Sequence, residues 1–78
     1  MADARFSVVE QGGQWHVVFD GLPSTPFPSQ GIALDAAIDQ AELMGREGRP
    51  AVVAVTEGGK EARIVWTYGK DPYPPPRG

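Results

Sequence analysis

Short runs of apolar residues, broken by glycine pairs, occupy both ends of the chain, and a helical period occupies its middle. Phe6 to Glu10 ("FSVVE") and Trp15 to Asp20 ("WHVVFD") are rich in β-branched and aromatic residues. They flank "QGGQ", where Gly12 and Gly13 can take the positive φ of a tight turn, so the pattern predicts a β-hairpin. The next stretch, "GLPSTPFPS", carries Pro23, Pro26 and Pro28. Prolines at this density withhold ladder donors, and the stretch reads as an irregular connector, with Phe27 dipping into the core and Ser29 at a helix N-cap position. From Gln30 to about Arg46 the period becomes helical: Leu34, Ala37, Ile38, Ala41 and Met44 form an apolar stripe, and Asp35, Asp39, Glu42 and Arg46 a charged one. Alanines at 37 and 41 allow close approach to a sheet. Gly45, Gly48 and Pro50 stop the helix. Ala51 to Glu57 and Ala62 to Tyr68 then read as a second hairpin turning at Gly58-Gly59.

These elements predict a small single α+β domain with the order β-β-α-β-β: a four-stranded, largely antiparallel sheet with one helix on one face. The domain spans 1–69, and 70–78 form a proline-rich C-terminal tail or strap. One helix covers one face of such a sheet. Yet "SVVE", "HVVF" and "AVVAV" put valines on both faces of their strands, where a half-buried strand would alternate apolar with polar. Something else must cover part of the second face, and the tail and a second copy of the chain are the candidates.

The chain has 78 residues, near the lower limit for a self-sufficient core. With no Cys and a single His (His16), disulfide and zinc staples are not expected, which leaves oligomerisation, here as a homodimer. The net charge of −3, with Lys and Arg scattered, argues against a general phosphate-backbone binder. "MADARF" has no apolar signal-peptide core, and no apolar run approaches the ~20 residues of a membrane span, so a soluble cytoplasmic protein is expected.

Little in the sequence points to catalysis. Asp35, Asp39 and Glu42 share a helix face, but a solvated face explains them and no second ligand cluster supports a metal. His16 alternates with Trp15 and Val17 and reads as a surface or sheet-edge residue. Ser7, Ser24 and Ser29 lack a nucleophile-elbow context, and neither Gly-Gly pair leads from a strand into a helix as a phosphate loop would. The expectation is a non-enzymatic protein without a cofactor. Trp15, Trp66, Tyr68 and Tyr73 could form a base-stacking platform, with Arg5 and Arg63 as the nearby cations, although core packing explains the aromatics more simply. The ending "TYGKDPYPPPRG" contains a P-x-x-P-x-R spacing through Pro72, Pro75 and Arg77, the pattern of a polyproline II ligand. It also reads as a strap: Tyr68 ends the last strand, Gly69 turns the chain, and Tyr73 lays its ring on apolar surface with its hydroxyl wet. Trp66, Tyr68, Tyr73, Arg63 and Arg77 are therefore the candidate partner-binding residues.

Trp15-His16-Val17, the alanine-rich helix from Ala37 to Ala41, Gly58-Gly59 and the ending Tyr68-Gly69-Lys70-Asp71-Pro72 together resemble a small bacterial family of unknown function (a DUF) with the β-β-α-β-β pattern. The resemblance covers nearly the whole chain and implies that the tail belongs to the domain. The first half, through Phe19-Asp20-Gly21-Leu22-Pro23 and Gln30-Gly31-Ile32-Ala33-Leu34-Asp35-Ala36-Ala37-Ile38, is also similar to HicB-like antitoxin domains. After the helix the chain departs from them, placing a hairpin where such antitoxins usually carry a DNA-binding segment. The functional expectation is a binding or assembly module of unknown target. The alternative is an antitoxin-like or phage-type regulator that inhibits a protein partner, and a nucleic-acid-binding sheet comes third.

Overall fold

The computed structural model of the chain describes residues 4–24, 26–57 and 60–73. Five strands and one helix follow in order: β1 (Ala4–Gln11), β2 (Gln14–Phe19), β3 (Leu22–Pro23), α1 (Gln30–Arg46), β4 (Ala51–Thr56) and β5 (Arg63–Thr67). The sheet order is β3-β2-β1-β4-β5. Neighbours are antiparallel except β1 and β4, which run parallel at the centre. Antiparallel strands can be joined by tight turns, whereas the parallel pair needs a crossover, and α1 supplies it. The α+β class and the single helix agree with the sequence reading; the sheet has one more strand than expected.

The extra strand lies in the stretch that reads as an irregular connector. Asp20 and Gly21 both take positive φ (56° and 76°), as do Gly12 and Gly13 (62° and 79°). Each pair makes a two-residue turn whose twist suits a hairpin. Leu22 pairs with Phe19 and Pro23 with Val18. Ser24 N–H then donates to the Val17 carbonyl at 2.8 Å, which leaves Pro23 at a position where no ladder donor is required. Ser24 Oγ accepts from Val17 N–H at 3.0 Å, and Phe27 exchanges backbone bonds with Trp15 (2.7 and 3.2 Å). Prolines are compatible with this edge because an edge strand bonds on one side only.

The Ser29 hydroxyl starts α1 by accepting from Ile32 N–H at 3.2 Å. At the other end Gly48 (φ 95°) donates to the Gly45 carbonyl and Arg49 N–H to the Met44 carbonyl, the paired bonds of a Schellman stop. Ala33, Ala37, Ile38 and Ala41 are buried, with Leu34 and Met44 partly buried beside them. The buried stripe is thus turned slightly toward Ala33 relative to the expected one. On the sheet, Phe6, Val8, Val17, Val53, Val55 and Trp66 face the helix and are buried, while Trp15 and Phe19 are partly buried. Phe6 and Phe19, paired across β1 and β2, stack at 4.5 Å.

The row Ala33, Ala37, Ala41, Gly45 puts a small residue at every fourth position. At its end, a Cβ on Gly45 would sit inside the ring of Tyr68. Replacing Gly45 with Ala should therefore destabilise the fold by about 1–3 kcal/mol despite the better helix propensity of Ala. In a Tyr68→Ala background the same change should become neutral or stabilising; equal costs in both backgrounds, by urea unfolding, would refute the contact. Ile38→Ala should cost about 2–5 kcal/mol in the same assay, as truncation of a buried aliphatic side chain does.

Candidate functional site

One helix is too narrow for five strands. Strands lie about 4.8 Å apart and helices pack about 8–10 Å from their neighbours, so a helix spans roughly two strands. Here α1 lies over β1 and β4 and reaches β2, leaving both flanks of the helix-side face uncovered by it. The two flanks differ in what fills them.

The β5 flank is closed by the C-terminal segment. Tyr68 ends β4–β5 pairing through its N–H to the Ala51 carbonyl (2.9 Å), and Gly69 turns the chain at φ 82°. Asp71 closes the turn: its N–H donates to the Thr67 carbonyl at 3.0 Å, and its Oδ2 accepts from Thr67 N–H at 2.8 Å. Trp66, only 2% exposed, donates its indole N–H to the Pro72 carbonyl at 3.0 Å. Tyr68 and Tyr73 both meet Trp66 edge-on with centroids 6.4 Å apart. Finally the Tyr73 hydroxyl donates to Asp39 Oδ1 at 2.7 Å. Through Tyr73 the segment lies against Trp66 and α1, and the Tyr73 hydroxyl is bonded to Asp39 where the sequence reading left it wet. This described part lies on the helix side of the sheet, and among the described residues nothing of it covers the opposite face. Pro74 to Gly78, including Pro75 and Arg77 of the P-x-x-P-x-R spacing, lie outside the described residues.

The β2–β3 flank is an open groove of about 540 Å³. Phe6, Val17, Phe19 and Phe27 form its floor, Leu22 and Pro23 one wall, and Ala36 and Gln40 of α1 the other. Leu22 is 73% exposed. Asp39 stands on the rim, and the Arg49 guanidinium lies 6.0 Å from the Phe19 ring centroid.

The second uncovered surface is the sheet face opposite α1. Register and alternation place Ser7, Val9, Val18, Val52, Ala54 and Ile64 there. Ala54 is sealed between its neighbours, whereas Ile64 is 55% exposed. Arg5 is the only Lys, Arg, Asp or Glu at the strand positions of this face. His16, also on this face, donates from Nδ1 to the Ser24 carbonyl at 3.1 Å, since a carbonyl can only accept.

Of the candidate partner-binding residues, Trp66, Tyr68 and Tyr73 come together, as a cluster that runs from the buried Trp66 to the exposed Tyr73 of the strap. A stacking platform on the open face is not assembled, because Trp15 and Trp66 point toward the helix. Arg63 lies apart from them, in a shallow dent with Glu57, Lys60 and Glu61. On the acidic stripe Glu42 pairs with Arg46 at 2.7 Å and Asp39 receives Tyr73. Among the described residues no three His, Cys, Asp or Glu side chains are grouped as metal ligands, and no helix is long and apolar enough to cross a membrane. Compared with known proteins, the chain matches no family model, no curated protein and no solved structure.

The strap bond carries a pH signature. Donation to Asp39 raises the Tyr73 phenol above its ordinary value of 10.0, helped by slight desolvation and the negative charges of Asp39 and Glu42, while Arg46 acts in the opposite sense. A raised value in the folded chain means the bond is intact below the ordinary tyrosine range and is lost as pH climbs through the higher value. Absorbance titration of the two tyrosines should show one late transition that moves to lower pH in Asp39→Asn. An unchanged titration in that variant would show that the bond does not form.

Proposed function

We propose that the protein is a non-enzymatic binding and assembly module that pairs with a second copy of itself through the open sheet face. One observation carries this reading: the face opposite α1 presents Val9, Val18, Val52 and Ile64 around a sealed Ala54, with Arg5 as its single full charge. Sheets pack face to face about 10 Å apart, and two-fold pairing is the commonest way for identical surfaces to close. Four strands with about three outward positions each, to which β3 adds Pro23 alone, give roughly 400 Å² a side, or about 800 Å² in the pair, below the usual range of specific interfaces. The pair is accordingly a weak dimer, formed at micromolar concentration.

A second reading has its own support. Phe19, Leu22, Pro23 and Ala36, residues on which the likeness to HicB-like antitoxins rests, meet in the groove beside α1. This favours a regulator that holds a protein partner there, and the two surfaces lie on opposite sides of the sheet, so one does not preclude the other.

Sedimentation equilibrium at micromolar concentrations should show a monomer–dimer equilibrium, abolished by Val52→Asp on the face and unaffected by Leu22→Asp in the groove. A monomer at all concentrations, or a dimer that survives Val52→Asp, would overturn the assembly reading.

A further inference from the structure

The groove beside α1 is shaped by what it lacks, a second helix. We propose that it seats an amphipathic α-helix of a protein partner, with basic residues along the edge that meets α1. The inference rests on the second reading above, that a protein partner uses the groove, and is independent of pairing through the sheet face.

Three observations carry it. The first is width. Beyond the part of β2 that α1 reaches, the flank takes in the rest of β2 and β3, roughly 5–10 Å at ordinary strand spacing, room for one side of a helix about 10 Å across. The second is the apolar lining, which continues up the helix. Ile32 and Leu43 stand four residues before and seven after Ala36 and so share its side of α1. They are 50% and 51% exposed, unusual for such residues on a helix whose main apolar stripe is already buried. Of this side of α1, Ala36 lines the groove, and Ile32 and Leu43 extend its apolar character along the helix. The third is charge. Asp39 stands on the rim, its carboxylate also accepting the Tyr73 hydroxyl, while the Arg49 guanidinium lies by Phe19 of the floor, so Lys or Arg of a partner helix complement the edge that meets α1 and no other.

The edge itself argues against the main rival, strand addition. Pro23 and Pro26 carry no N–H, and Ser24 N–H is already given to Val17. The outer side of β3 therefore cannot supply the row of donors that an added strand needs. Anchorage must come from side chains, as it does when a helix fills a groove.

The test uses the full chain and a synthetic peptide of about 15 residues, Leu and Ala on one face and Lys on the other, long enough to hold a helix on binding. Binding is followed by fluorescence anisotropy and located by amide shifts. The expected result is saturable binding with shifts at Leu22, Ala36 and Gln40. Leu22→Asp should weaken it at least tenfold, although that change adds negative charge, and a peptide with Glu in place of Lys should fail to bind. Equal binding of a sequence-scrambled peptide, or shifts centred on Val18 and Val52 of the opposite face, would overturn the proposal. A proline-rich P-x-x-P-x-R peptide that shifts the groove residues when the helical one does not would overturn the helix and leave the groove as a protein site. Failure of every peptide to shift the groove would remove both.

Discussion

The close approach of α1 to the sheet governs the rest of the molecule. Ala33, Ala37, Ala41 and Gly45 carry almost no side chain toward the strands, so the helix axis sits low and the larger groups fill the space around it. Val8 and Val53 are sealed beneath it, and the Phe6–Phe19 stack lies to one side. The Tyr68 ring fits over Gly45 only because no Cβ intervenes. That ring leads the chain toward Trp66 and then to Tyr73 at Asp39. A bulkier residue in the small row would lift the helix and separate these contacts together, since packed interiors absorb added volume poorly.

A low helix is also a narrow cover. The chain spends its remaining apolar material unevenly: on the β5 flank the strap is pinned by two ring contacts and two backbone-directed bonds, whereas the β2–β3 flank receives only the partly buried Phe27. The opposite face receives nothing among the described residues. The exposed apolar groups are accordingly not scattered. Leu22 lines the groove, Ile32 and Leu43 share one side of α1, and Ile64 belongs to the bare face of the sheet. Grouping of this kind distinguishes a surface with a use from the single exposed leucine that any small protein tolerates.

Much of this fold was legible in the order of residues because its signals are local. The 3.6-residue period, Ser29 before it and Gly48 after it mark α1 to within its observed ends, and the glycine pair at 12 and 13 marks the first hairpin. The third strand was hidden by a true rule applied too broadly: prolines do remove ladder donors, but Pro23 falls where none is needed, and Asp20-Gly21 was an available turn signal. Tyr73 as an anchor was readable from its ring among prolines, whereas its partner Asp39 was not, because the two meet only after the chain has turned at Gly69. The bare surfaces could be inferred only as a surplus of valine. Their outlines depend on how many strands one helix reaches, and that follows from strand order, which no local pattern encodes.

The parallel pairing at the centre has a consequence for how the chain assembles. Ala4 lies beside Ala51 and Val8 beside Val55, so the middle of the sheet joins segments from opposite ends of the domain. The β1–β2 hairpin closes over two residues and can form within microseconds. Its completion must wait until the connector and the whole of α1 have carried the chain back across the sheet, a loop-closure cost that slows folding in proportion to such long-range contacts. During that interval the inner edge of β1, from Phe6 to Val8, offers unpaired backbone groups flanked by apolar side chains to any other nascent chain. A strand paired on both edges in the native state is therefore exposed to misassociation on the way there.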